Sequence, residues 1–127
     1  MLTDMPLIAF VATKSPERAR EFYENVLGLK LVADEQWAIV FDAKGTMLRV
    51  QKVQDLKPQT FTALGFRVPD IAAAVRDLAA KGVEFVRYEF LAQDALGIWD
   101  APGGGRVAWF RDPDGNLLSL TQFGRAL

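Results

Sequence analysis

Residues 111–122 read RDPDGNLLSLTQ, and the fold follows from how this stretch is read. Asp112-Pro113-Asp114-Gly115-Asn116 is turn chemistry: proline fixes φ and Gly115 is free to take φ > 0. The residues on either side, RVAWFRD and NLLSLTQF, alternate as strands do, so the turn closes a hairpin. Along its second arm Leu118 and Leu120 point to one face and Ser119 to the other.

Upstream of this hairpin lie LGFRV (Leu64 to Val68), a helix entry at Pro69-Asp70, the alanine-rich IAAAVRDLAAKG ended by Gly82, and the strand-like VEFVRYE. The first half of the chain shows the same order. LIAFVAT reads as a buried strand, and Ser15-Pro16 as N-cap and N1 of a helix running to Gly28. LKLVAD, WAIVFD and TMLRVQKV then read as strands, with Lys44-Gly45 as the turn between the last two. Gly28-Leu29 matches Gly82-Val83, and Lys44-Gly45-Thr46 matches Asp114-Gly115-Asn116. The chain is therefore an internal repeat of two βαβββ units, about 5–53 and 62–124, joined by a polar linker at 54–61 and forming a single domain over 1–127. The second unit carries a surplus, FLAQDALGIWDAPGGG, placed between its second and third strands; long loops of this kind are often functional.

A length of 127 residues suits one compact domain that buries about two-thirds of its unfolded surface. A net charge of -1 gives no basic field for nucleic acid or an anionic membrane, and no run approaches the ~18 apolar residues of a membrane span. Cysteine and histidine are both absent, which removes disulfides, thiolate nucleophiles, the commonest metal ligand and the commonest general base near neutral pH. The N-terminus shows no secretory pattern, so a cytoplasmic protein is expected.

ERAREFYENVLGLKLV followed by a hairpin and TMLRV, then FRVPDIAAAVRDLAAKGVEF and WFRDPDGNLLSL, resembles the vicinal oxygen chelate superfamily over nearly the whole chain. That superfamily includes glyoxalase I, bleomycin-resistance proteins, fosfomycin-resistance enzymes and extradiol dioxygenases. The resemblance implies an α+β fold in which two βαβββ modules curl as mixed sheets into an open cup with helices outside, commonly in paired chains, so a homodimer is expected. In the metal-dependent members, strand positions aim ligands into the cup, and here those positions fall on Ile8, Arg49, Ala63 and Ser119. Ile and Ala have no donor atom, Arg is a permanent cation and a lone Ser hydroxyl is a poor ligand, so no metal and no other cofactor is expected.

With Arg49 and Ser119 pointing into the cup, strand alternation places Leu48, Val50, Ala38, Val40, Leu118 and Leu120 on the helix-facing side. It places Phe10, Trp37, Ile39, Phe41, Gln51, Arg67 and Trp109 on the cup side. A concave apolar surface with a few polar groups suits a small hydrophobic molecule, aromatic or anionic. Trp37 and Trp109 are expected at corresponding positions of the two modules, placed to sandwich a planar ligand, with Trp99 contributed by the 90–105 loop. Arg49 reads either as the ligand's anion partner or as half of an internal ion pair with Glu35, Glu89 or Asp100. Gln51 and Ser119 read either as polar contacts to the ligand or as partners of one another, and Arg67 joins the ligand set although, near a strand end, solvent exposure is its leading explanation. The competing reading is an enzyme, a lyase or isomerase of the same superfamily, metal-independent or with an atypical metal site. Its acid or base would be Glu89 or Asp100, with a pKa raised beside Trp99.

Overall fold

The structure is a computed structural model that describes residues 1–124. The chain divides into two compact units, Met1–Pro58 and a second beginning at Gln59, and each is described by itself.

Unit 1 contains β1 (Ile8–Thr13), α1 (Pro16–Glu21), β2 (Lys30–Asp34), β3 (Ala38–Ala43) and β4 (Thr46–Lys52), after a short 3-10 turn at Leu2–Asp4. Its sheet has the order β1-β4-β3-β2, with β1 parallel to β4 and the other pairs antiparallel. The β3–β4 hairpin closes through Lys44 at φ 49° and Gly45 at φ 89°, two consecutive left-handed residues. That two-residue turn matches the twist of the strands it joins.

The first helix is shorter than its sequence suggests. It is α-helical only to Glu21, after which Phe22–Val26 widens into a π-helical turn, with the Leu27 N–H donating to the Phe22 carbonyl at 2.9 Å. The widened turn packs Tyr23 fully into the core, edge-on to Phe22 at 5.3 Å and against Phe41 at 5.9 Å between ring centroids. Ser15 stands at the N-cap but makes no side-chain cap bond; instead its N–H donates to Thr13 Oγ1 at 2.9 Å.

Unit 2 contains β5 (Thr62–Arg67), α2 (Ile71–Ala80), β6 (Trp99–Asp100), β7 (Arg106–Arg111) and β8 (Leu117–Gln122), in the sheet order β5-β8-β7-β6. Asp70 caps α2 by accepting from the Ala73 N–H, and Gln122 of β8 accepts from the Ile71 N–H at 2.9 Å, tying the helix start to the sheet. Ile71, Val75, Ala108, Phe110, Leu118 and Leu120 form the buried core. The Asp112 carboxylate organises the β7–β8 turn: Oδ1 accepts from the Asp114 and Asn116 N–H groups, and Oδ2 from Asn116 Nδ2, all at 2.9 Å.

VEFVRYE does not form a continuous strand. Phe85 bridges Phe110, and the Val86 N–H donates to the Trp109 carbonyl at 2.8 Å, but the chain then leaves the sheet and returns only as β6, where Trp99 pairs with Val107. Phe85 and Trp99 are fourteen positions apart in sequence, while their partners Phe110 and Val107 are three apart. The surplus is thus an excursion within the fourth strand rather than a link between two complete ones. The sheets are mixed and α+β as expected. Among the described residues no helix is long and apolar enough to cross a membrane.

Candidate functional site

The excursion is braced rather than loose. Gln93 is its hub: its Oε1 accepts from the Tyr88 N–H at 2.7 Å, and its Nε2 donates to the Val86 and Gly97 carbonyls at 2.9 Å. Asp94 Oδ1 accepts from the Leu96 and Ile98 N–H groups at 2.9 Å, which makes a tight turn, and the Arg87 guanidinium donates to the Asp94 and Ala95 carbonyls. Gly97 and Ile98 are buried. A segment so fixed returns Trp99 to the sheet in a set orientation.

That orientation builds an aromatic wall. In the β7–β8 ladder Trp109 lies opposite Ser119 and Val107 opposite Thr121, while Trp99 lies opposite Val107, so all five share one face. The Trp99 and Trp109 rings are 6.0 Å apart at 31°, Tyr88 stands edge-on to Trp109 at 5.4 Å, and Phe90 lies 5.4 Å from Tyr88. On the far side of β8, Gly65 pairs with Ser119 and Arg67 with Thr121; the Arg67 guanidinium sits 5.0 Å over the Phe123 ring. The sequence placed Trp109, Ser119, Arg67 and Trp99 in the site, and all four fall on this face or its rim. Tyr88 and Phe90 are further aromatic partners that the sequence does not announce: Tyr88 sits in a run that reads as strand and Phe90 at the start of the surplus loop, and neither position tells that Tyr88 turns back on Trp109 with Phe90 against it.

In unit 1, Phe10, Arg49 and Gln51 share a face, with Phe10 opposite Arg49 and Ala12 opposite Gln51. Gln51 is exposed and Phe10 half-exposed at 50%. Arg49 donates to Glu35 Oε1 at 3.2 Å, which realises the internal ion pair among the readings open to it. The phase of β3 departs from expectation. Ile39 pairs with Val50 and Phe41 with Leu48, so Ile39 and Phe41 face the core, where Phe41 meets Tyr23; Ala38 and Val40 lie on the Arg49 face. Val40 opposite Arg49 is therefore the counterpart of Trp109 opposite Ser119. Trp37 is not that counterpart: it precedes β3, is 71% exposed, and its carbonyl accepts from the Lys52 N–H at 2.8 Å.

The four strand positions do not fit a divalent metal. Ile8 and Ala63 offer no donor, Ala63 falls in the irregularity between Thr62 and Leu64, Arg49 is held by Glu35, and Ser119 supplies one hydroxyl. Among the described residues no group of three or more His, Cys, Asp or Glu gathers elsewhere. The candidate acids are not sequestered either. Glu89 is exposed, and Asp100, 84% exposed, pairs with Arg106 Nε at 3.1 Å rather than lying desolvated against Trp99.

A charged depression of about 470 Å³ in unit 1 is lined by Glu17, Arg20, Glu21, Asp34 and Lys52, among others. Its charges answer one another: Lys52 Nζ lies 2.6 Å and Arg20 Nη1 3.2 Å from Asp34. The Lys52 hydrogen bond, aided by Arg20, holds the Asp34 carboxyl below its usual value, against a smaller opposing effect of burial. This network ties α1 to the ends of β2 and β4.

Comparisons with known proteins agree with this architecture. Residues 6–120 match the family described as Glyoxalase/Bleomycin resistance protein/Dioxygenase superfamily. The comparison with curated proteins returned no match. Among solved structures, a member of the same superfamily from Sphaerobacter thermophilus DSM 20745 is similar at 26% identity and TM-score 0.75, over 96% of this chain and 99% of its own. TnmS3, an antibiotic-binding protein from Streptomyces sp. CB03234, is similar at 26% identity and TM-score 0.74, over 98% and 99%. A lactoylglutathione lyase from Agrobacterium tumefaciens shares the fold at 16% identity and TM-score 0.73, over 94% and 93%.

Proposed function

The chain belongs to the Glyoxalase/Bleomycin resistance protein/Dioxygenase superfamily, and from that premise we propose that it binds a small, hydrophobic, planar aromatic molecule. The ligand lies on the Trp99–Trp109 wall of unit 2, without a metal ion at the four strand positions. The observation that carries this reading is the cross-strand pair of Trp109 and Ser119, with Trp99 and Tyr88 packed against the same indole. It joins a broad apolar platform to a polar group at its edge, the combination that small-molecule sites use. The similarity to TnmS3, described as an antibiotic-binding protein, supports binding as the activity. An aromatic ligand is favoured over an anionic one because the Arg49 fork is already engaged by Glu35. Binding is favoured over catalysis because neither candidate acid is enclosed beside the wall: Glu89 lies open to solvent and Asp100 is exposed and paired with Arg106. We also read it as a cytoplasmic homodimer; the pairing rests on the resemblance, and light scattering of the purified protein checks it.

The test is a titration followed through the indole N–H signals of the three tryptophans in a ¹H–¹⁵N spectrum. With 2-naphthol as probe, Trp99 and Trp109 shift together and Trp37 stays in place. No movement of either wall tryptophan at millimolar probe overturns the reading. Stoichiometric metal in protein purified without chelator overturns its metal-free part.

A further inference from the structure

Gly65 lies inside β5, opposite Ser119, and its backbone is not in the left-handed region that ordinarily calls for glycine. Glycine inside a strand weakens it, and marks a place where another group comes close to the backbone. A Cβ on Gly65 would stand 2.9 Å from Ser119 Oγ, closer than real Cβ contacts come. The absent side chain leaves a notch over the β5 backbone into which that hydroxyl turns, and a methyl group there would make the Oγ rotate away.

Ser119 is only 7% exposed, yet among the described residues its hydroxyl has no hydrogen-bond partner and is not one of the sealed polar atoms. A polar group so placed, neither satisfied internally nor shut away, is set to meet something that enters the notch. Trp109 flanks it on the next strand, about 4.8 Å away. A ring lying over the indole reaches Ser119 with a single exocyclic oxygen.

We propose that the notch of Gly65 and Ser119 selects aromatic ligands that carry a hydroxyl or carbonyl oxygen at the ring edge, Ser119 Oγ hydrogen-bonding that oxygen while the ring stacks on Trp109. This rests on the aromatic wall being the binding face, and it adds the chemical class of the ligand and the role of Gly65 as the residue that determines specificity.

The experiment compares 2-naphthol with naphthalene on the same indole signals. The wild type binds 2-naphthol about 3- to 10-fold more tightly, the range of one added hydrogen bond. Ser119→Ala brings 2-naphthol to the level of naphthalene and leaves naphthalene unchanged. Gly65→Ala fills the notch and weakens 2-naphthol at least as much, with the same spectra reporting whether the variant is folded. Should Gly65→Ala fail to fold, the Ser119→Ala comparison decides alone. Equal affinity of the two probes for the wild type, or 2-naphthol binding untouched by either variant, overturns the notch while leaving the wall intact. Failure of both probes to shift Trp99 and Trp109 overturns the wall itself, and the notch with it.

Discussion

Trp99 and Trp109 lie with ring centroids 6.0 Å apart and planes inclined at 31°, although they stand ten positions apart in sequence. A ring sandwiched between two others needs about 7 Å between parallel planes, twice a carbon contact of about 3.5 Å. The pair is therefore one surface and not a slot, so the proposed ligand would stack on its outer face.

Removing that surface is expected to be decisive. Trp109→Ala lowers affinity for 2-naphthol at least about tenfold, or about 1.4 kcal/mol. Trp37→Ala, which alters an exposed indole outside the wall, leaves it unchanged. Calorimetric titration of the two variants checks the contrast.

Gln93 is expected to matter for both stability and binding. Gln93→Leu strands the Tyr88 N–H and the Val86 and Gly97 carbonyls, and an unsatisfied buried group costs about 1–3 kcal/mol. Urea unfolding should show a loss of about 2 kcal/mol or more, and hydrogen exchange should rise across 87–98. Affinity for 2-naphthol falls too, because Trp99 and Tyr88 lose their fixed positions.

Asp112 holds the β7–β8 turn through three hydrogen bonds while nearly buried. Asp112→Ala is expected to destabilise by about 2–4 kcal/mol, since hydrogen bonds to a charged group exceed neutral ones. Asp112→Asn keeps one oxygen acceptor but sets its amide against Asn116 Nδ2, and should fall between the two in thermal unfolding.

Asp34 predicts an acid-side dependence. Its folded pKa lies below the ordinary value of 3.8, so its contribution to stability is fully present above that value and is lost as pH falls from there through the folded pKa. Asp34→Asn should flatten the stability profile below about pH 4. The effect is small because the pair is partly exposed, and added salt reduces it. A profile unchanged by the substitution would remove Asp34 from the account.

The repeat, both helices and both hairpin turns were legible because each carries its own local chemistry: Pro16 at a helix start, Asp70 at a cap, Lys44-Gly45 and Asp112–Asn116 at turns. The phase of β3 was not legible. Ala38, Ile39, Val40 and Phe41 are apolar in succession and buried on both faces, so alternation has no contrast from which to fix which side is which. The surplus at 90–105 was legible as a long loop, but its early start was not, since VEFVRYE has the same composition whether it pairs or departs, and what holds it out of the sheet is a set of bonds to Gln93 several residues on. The same limit applies to Arg49. Glu35 stood among three possible partners, and only the fold brings the two within 3.2 Å.

The interrupted fourth strand has a further consequence, for behaviour at high concentration. The outer side of β7 is covered piecewise, by Phe85 and Val86 at one end and by the two residues of β6 at the other, with Asp100 and Arg106 paired beside them. An edge broken into such short lengths gives an incoming chain no run of free N–H and C=O groups to add to. The segment that shapes the aromatic face thereby also protects this margin of the sheet from edge-to-edge aggregation.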